Sequence, residues 1–344
     1  MTLQALQPPS IAWPRDHAAA RAAEGRYESA EPIDRDEWPT PPLREGQDDV
    51  HVRTTVVAVT HNGADFLQQQ LASIERQFTL PDEAVVVDDN STDDTIAILR
   101  DYQSNSSFPV QILRSSAPKG MPVYSRVAAN FTQGVASASG RVVLFADQDD
   151  LWLPSRVDIQ TEVFLSRPSL SVVAHDGVVI DALDADTGGT LRGSFPVPSN
   201  WWQLRHEQRV RFVMRHPVGT GAAMAIQPAR LGAWAVPPGW LHDRWLTLHA
   251  VAFDGLELAR GAVIRYRVHD SQAVGLAGAD RHLCARIRNV TRKPRQVLDK
   301  LADESRLGRT SPHRGARSLV LPTSAAVMLG FGSARDDSAS EFPE

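Results

Sequence analysis

The chain has 344 residues, 42% of them apolar, and a formal net charge of −5. That apolar content supports an ordinary globular core, and the longest apolar runs, such as Val142 to Ala146, fall far short of the ~20 residues of a membrane-spanning helix. No charged-then-apolar leader opens the sequence, and the lone Cys284 excludes an intramolecular disulfide; both predict a cytoplasmic protein.

Residues 1–50 are rich in Pro, Ala and acidic side chains with little periodicity, which predicts a mostly disordered extension with a short helix around Asp16 to Ala23. Thr54 to Thr60 reads as a buried strand, continuous in β-branched residues as parallel strands are. After the turn His61-Asn62-Gly63, the residues Leu67, Leu71, Ile74 and Phe78 share one helix face, and Pro81 closes that helix. Ala84 to Val87 is the next strand and runs into Asp88 and Asp89. Asn90 to Asp94 then starts another helix, with Ser91 or Thr92 as N-cap and Asp93 and Asp94 in its first turn, favoured by the dipole. Strand, helix, strand, helix predicts a parallel α/β sheet with right-handed crossovers. Ligands of such sheets bind beyond the carboxyl ends of the strands, where Thr60, Asp89 and Asp147 fall.

The run Val142 to Ala146 drives a third strand straight into Asp147, Asp149 and Asp150. Carboxylates so clustered repel one another and lose water, so a positive charge must sit among them. A divalent cation that prefers oxygen ligands and bridges phosphate oxygens is the economical candidate, which makes Asp147-Gln148-Asp149 a D-x-D metal and nucleotide-sugar motif. Taken alone, these residues leave a solvated acidic turn equally open. Asp176, in Val173-Ala174-His175-Asp176, sits at the end of a further strand, where it could touch a bound ligand. Trp201, Trp202, Trp234, Trp240 and Trp245 suit core packing. Aromatic faces also stack on sugar rings, so Trp240 and Trp245, flanking His242 and Asp243, are acceptor-site candidates.

Arg281 to Arg317 carries eleven Lys or Arg against three Asp or Glu, with Ile287, Val290, Val297 and Leu301 at patchy helical spacing. Such a segment suits an anionic membrane surface, and equally a solvated helix with a loose tail. No nucleic-acid motif accompanies the charge.

In chain order, Val59-Thr60-His61-Asn62-Gly63, Val87-Asp88-Asp89-Asn90-Ser91-Thr92-Asp93, Asp147 to Trp152, Gly219-Thr220-Gly221, His242-Asp243-x-Trp245 and Tyr266-Arg267-Val268-His269 resemble the family 2 glycosyltransferases with a GT-A fold. The subgroup they resemble is the bacterial rhamnosyltransferase-like enzymes of cell-surface polysaccharide synthesis. The resemblance spans roughly Arg53 to Gly275. It implies one catalytic domain over 51–275, an α/β body with a Rossmann-like, mostly parallel sheet flanked by helices, and a basic, partly helical extension over 276–344.

It also implies roles. Asp89 would hydrogen-bond the nucleotide base, with Thr60 and Asn62 lining the same pocket. Asp147 would approach the ribose, while Asp149, helped by His269, would hold Mg2+ or Mn2+ against the diphosphate. Asp243 would be the general base, His242 would orient its loop or cap its helix, and Gly219, Thr220 and Gly221 would form an acceptor-side turn. His61 stands where relatives carry an aromatic, and Asp270-Ser271 where they often carry Gly-Asn. The implied activity is inverting transfer from a nucleotide-sugar donor to a saccharide or lipid-linked acceptor, on or near the inner face of the cell membrane. Two alternatives stand beside it. A sugar nucleotidyltransferase wants a glycine-rich loop after the first strand, which Thr60 to Ala64 does not supply. A non-catalytic nucleotide- or carbohydrate-binding module has no need of an intact Asp149 and Asp243.

Overall fold

Short β-branched runs separated by helices pair in parallel, because a crossover returns the chain to the same end of the sheet. That is the arrangement of β1 (Thr54–Thr60), β2 (Glu83–Asp88), β3 (Val110–Arg114) and β4 (Val142–Ala146), linked by α1 (Ala64–Glu75), α2 (Thr95–Asn105) and α3 (Val123–Ser137). The structure, a computed structural model, describes residues 51–232, 235–272, 302–307 and 309–313.

The second half of the sheet is mixed. β8 (Met224–Ile226) runs antiparallel to β4 and to β6 (Val172–Ile180), and β9 (Leu256–Arg267) runs parallel to β6. β5 (Leu151–Trp152) pairs antiparallel with β9, and β7 (Asp186–Thr190) returns along β6 through a short turn. The nine strands follow the order β3-β2-β1-β4-β8-β6-β9-β5, with β7 on β6. The expected parallel arrangement therefore holds for the half that carries the first three site loops. Beyond β4, short returns such as the β6–β7 turn force antiparallel neighbours. Further helices are α4 (Arg156–Ser166), α5 (Leu191–Ser194), α6 (His206–Arg215), α7 (Pro228–Leu231) and α8 (His242–Ala252).

Strand alternation divides the core between the two faces of the sheet. Val56 and Ala58 of β1 pack with Leu67, Leu71 and Leu99 on one face. Val57 packs with Phe131, Phe145 and Leu246 on the other. Two local expectations change. α1 ends at Glu75, short of Phe78, because Gln77 turns its side chain to Leu153 O (2.8 Å) and accepts from Val157 N (3.1 Å); Phe78 is left 41% exposed. Asp94, not Ser91 or Thr92, is the N-cap position of α2, and its side chain makes no capping bond.

Part of the C-terminal segment packs on this body. Residues 302–307 are helical, Leu307 joins the α8 side of the core, and Ser311 Oγ donates to Ala252 O at 2.5 Å. Residues 1–50 with their predicted helix, Trp234, Cys284 and the basic run through residue 301 lie outside the described residues. Among the described residues, no helix is long and apolar enough to cross a membrane.

Candidate active site

The loops after β1 and β2 are built together. Asn62 (φ 47°) and Asn90 (φ 58°) take the left-handed conformation that a short polar side chain tolerates. Asn62 N donates to Ser91 Oγ (2.9 Å), Thr92 N to Asn62 Oδ1 (2.8 Å) and Gly63 N to Thr95 Oγ1 (2.8 Å). Asp93 accepts from Ala64 N (3.1 Å), so it serves the start of α1 as well as its own turn. Asp88 accepts from Ser91 N (3.0 Å) and from the buried Thr60 Oγ1 (3.2 Å). Thr60, Asn62 and Asp88 thus fix the loops with their side chains.

Beside these loops lies a cavity of about 380 Å³ lined by His61, Asp89, Asn90, Arg114, Lys119 and Arg126 among others. Asp89 is buried and its Oδ2 accepts from Arg126 Nε of α3 at 2.6 Å; Arg114 Nε donates to Asn90 Oδ1 at 3.0 Å. Sequence reasoning passed over Arg114, Lys119 and Arg126. The available signal was a group of cations just downstream of the Asp88-Asp89 pair.

β4 delivers the acidic turn. Gln148 faces back, accepting from His61 N (2.7 Å) and donating to His61 O (3.2 Å), which locks the turn to the β1 loop. Asp149 Oδ2 meets His269 Nε2 at 2.8 Å. Arg267, fully buried, donates its amide to Asp150 Oδ1 (2.8 Å) and its Nε to Asp149 O (2.7 Å), reaches Gln69 (2.9 Å), and pairs with Asp184. Its guanidinium lies 4.7 Å from the Phe66 ring, whose centroid is 4.5 Å from that of His269. Burial, then the charges of Asp149 and Asp243, push Asp147 up to about 7, with Arg156 opposing. Burial likewise raises Asp150 well above the carboxylate range, followed by Asp149 and Asp147. Arg156 is pulled down to about 9 by burial against the attraction of Asp150 and Asp147. The strand therefore brings Asp147 into electrostatic reach of both Asp149 and Asp243.

On the far side, Asp243 sits in the first turn of α8, where its Oδ2 accepts from Gly221 N (3.3 Å) and its Oδ1 from Arg244 N (2.5 Å). His242 is buried between Phe131, stacked at 4.0 Å, and Phe145, edge-on at 5.4 Å. Burial holds it down at about 4 despite Asp243, and neither ring nitrogen has a hydrogen-bond partner among the described residues. It makes no capping bond, the N-cap position being Leu241. Gly221 leaves the room it occupies, since a Cβ there would stand 2.2 Å from His242 Nε2. Gly219 approaches Ala174 closely, and Thr220 leads into the short turn Gly221–Ala223. Trp240 and Trp245 are core residues with rings 5.4 Å apart, and Trp240 Nε1 donates to Asp303 Oδ2 (3.3 Å). Asp176 Oδ1 accepts from Gly177 N (2.8 Å) and Arg192 N (2.7 Å), holding the start of α5.

The carboxylate–imidazole pair of Asp149 and His269 has the donor chemistry that could hold a divalent cation. Among the described residues no group of three or more His, Cys, Asp or Glu could hold a metal ion.

The family model "Glycosyl transferase family 2" matches residues 55–226, from β1 through β8, and stops short of Asp243 and His269. An uncharacterized glycosyltransferase of Nostoc is 27% identical over 129 residues, 37% of this chain and 38% of that protein. A putative teichuronic acid biosynthesis glycosyltransferase of Bacillus subtilis is 28% identical over 133 residues, 37% of this chain and 50% of the relative. The chain thus spans half or less of the length of these relatives. Among solved structures, S. aureus TarS 1–349 with UDP is 17% identical at a TM-score of 0.48, covering 81% of this chain and 86% of that one. The mannosyltransferase of Pyrobaculum calidifontis with GDP-Man and Mn2+ is 21% identical at 0.45, covering 83% of each. Matched by the model over half of its length, the chain belongs to glycosyl transferase family 2.

Proposed function

We propose that this protein transfers a sugar, with inversion, from a nucleotide-sugar donor to a hydroxyl of a saccharide or lipid-linked acceptor in cell-surface polysaccharide synthesis. The observation that carries the reading is the β4 turn, which Gln148 ties to His61 of the cation-lined cavity and whose Asp147 feels the charges of Asp149 and Asp243. Arg114, Lys119 and Arg126 suit the negative charge of a nucleotide, while Asp89, steadied by Arg126, offers its second oxygen to a base. Thr60 and Asn62 act there by shaping the loops. Asp149 and His269 would hold Mg2+ or Mn2+. The bound cation supplies Lewis-acid stabilisation of charge on the departing diphosphate.

The remaining chemistry belongs to this chain's own side chains. Asp243, its carboxylate aimed by two backbone amides, accepts the proton of the acceptor hydroxyl as that oxygen bonds C1. The C1–O bond to the diphosphate breaks on the opposite face, and the nucleoside diphosphate leaves with the bonding pair. No enzyme nucleophile is needed. The motif set's resemblance to rhamnosyltransferase-like enzymes makes an activated deoxyhexose the first donor to try. The basic segment 281–317 would bring the enzyme to the inner face of an anionic membrane, where a lipid-linked acceptor is presented.

The test is hydrolysis and transfer with UDP-, GDP- and dTDP-sugars in the presence of Mg2+ or Mn2+. Asp149→Ala or EDTA is expected to abolish transfer and leave the protein folded, since removing one of several clustered carboxylates relieves repulsion. Full turnover by Asp149→Ala in metal-free buffer would overturn the metal assignment.

A further inference from the structure

One face of α4 gathers main-chain carbonyls from two strands that part company at the site. Arg156 and Gln160, one helical turn apart, are both fully buried. Arg156 Nη2 donates to Phe145 O (2.8 Å) and Met224 O (3.3 Å), and its Nε donates to Gln160 Oε1 (3.0 Å). Gln160 Nε2 donates to Ala223 O (3.1 Å) and lies 3.3 Å from His175 Nδ1. The guanidinium lies 3.8 Å from the Trp152 ring centroid.

These carbonyls stand at a fork. β4 and β8 pair at Val143 with Ile226 and Leu144 with Ala225. Past that point β4 runs on to Asp147, while the chain leading into β8 comes from Gly221, whose amide holds Asp243. Phe145 lies just before the donor-side turn and Ala223 just after the acceptor-side one. A buried arginine is costly where packing alone is required, because an aliphatic side chain fills such a gap without dehydrating a charge. Arg156 Nη1 has no hydrogen-bond partner among the described residues, yet the guanidinium charge acts on both Asp147 and Asp150.

We propose that Arg156 is a positioning residue that fixes the separation between the donor-side turn Asp147–Asp150 and the acceptor-side contact of Gly221 with Asp243. The inference rests on the reading of Asp243 as base. Only a planar, multi-donor group bridges two carbonyls while bonding Gln160 and stacking on Trp152; lysine keeps the charge and loses the fork.

The test uses the full chain with Arg156→Lys, Gln160→Leu and Asp243→Asn, after thermal denaturation has confirmed folding. Arg156→Lys is expected to lower kcat by about 10- to 100-fold, the scale of a misplaced reacting group. Its affinity for nucleoside diphosphate with Mn2+, by calorimetry, should fall by clearly less than kcat, because only the Asp147–Asp150 side of the donor site is loosened while the β1 and β2 loops keep their own bonds. Combined with Asp243→Asn, it should lose no more than Asp243→Asn alone, since both act on one step. Amide hydrogen exchange should quicken at Gly221 and at the Asp147–Asp150 turn, and stay unchanged at Asn62–Ala64. Unchanged kcat with unchanged exchange, additive losses in the double variant, or an equal fall in nucleotide affinity would each overturn the proposal. If Arg156→Lys does not fold, Gln160→Leu decides: it removes the Ala223 contact, keeps the charge, and should show the same pattern in smaller degree. If Asp243→Asn turns over normally, the base assignment is what fails, and faster exchange at Gly221 still supports the tie.

Discussion

His242 shows how one side chain is read differently in sequence and in space. Beside Asp243 it looks like a partner of the base; folded, it is an uncharged ring packed between Phe131 and Phe145. Its pKa is about 4 in the folded protein and 6.5 when unfolded, so between those values the unfolded chain binds more protons. Stability from this residue is present above pH 6.5 and is lost as pH falls toward 4, by about 1.4 kcal/mol per unit. His242→Phe is expected to match the native protein near pH 7 and to exceed it by roughly 3 kcal/mol near pH 4 in urea denaturation. Equal acid sensitivity of the two proteins would show that the ring is hydrated. The carboxylates Asp89, Asp147 and Asp149 were legible because their charges cluster at strand ends. The partners of Arg126 and Arg267 were not, because the first meets Asp89 from 37 residues away and the second binds Asp149 across 118. No local pattern encodes such pairs.

At the scale of elements, β1, β2 and β4 were legible as unbroken apolar runs, which is what burial on both faces demands. β8 and β5, three and two residues long, carry too little periodicity to announce themselves. β3 is a half-exposed edge strand with a correspondingly mixed pattern. The end of α1 was misplaced because Gln77, polar and unremarked in the heptad-like spacing, diverts the chain toward Leu153. The joined β1, β2 and β4 loops support a prediction of their own. A Cβ on Gly63 would stand 2.3 Å from Gln148 Oε1. That atom ends a flexible side chain, so it can swing aside, and Gly63→Ala should cost less than about 1 kcal/mol of stability. The swing breaks the bonds to His61, however, and nucleotide affinity should fall severalfold. Calorimetry with UDP and GDP beside a thermal melt separates the two effects; a large stability loss with intact affinity would place the importance of Gly63 in packing.

For the molecule as a whole, the helical residues 302–307 close the α8 side of the core. Leu307 is buried, Asp303 receives Trp240 Nε1, and the His313 and His206 rings lie 5.2 Å apart. A chain ending at residue 300 is expected to lose about 2–4 kcal/mol, the sum of one buried leucine and a few hydrogen bonds. Denaturant titration of the truncated and full-length proteins measures it, and equal stability would mean that the segment merely rests on the surface. The basic stretch before it bears on location. If 281–317 meets an anionic leaflet, each exposed Lys or Arg adds about 1 kcal/mol, and the full-length protein should sediment with phosphatidylglycerol vesicles at low salt and leave them as salt rises. A protein that ignores such vesicles at low salt is recruited by other means.

The left-handed turn at Asn62 has a chemical consequence. Asn-Gly is the dipeptide in which a backbone nitrogen most readily attacks the preceding carboxamide, expelling ammonia and closing a succinimide that reopens to aspartate or isoaspartate. Here both reacting groups are engaged: Gly63 N donates to Thr95 Oγ1, and Asn62 Oδ1 accepts from Thr92 N. The turn therefore ages only while those bonds are open. Deamidation of Asn62, followed by peptide mass during storage, is thus a slow clock for the breathing of the loops around the cavity, and a ligand that holds them shut should retard it.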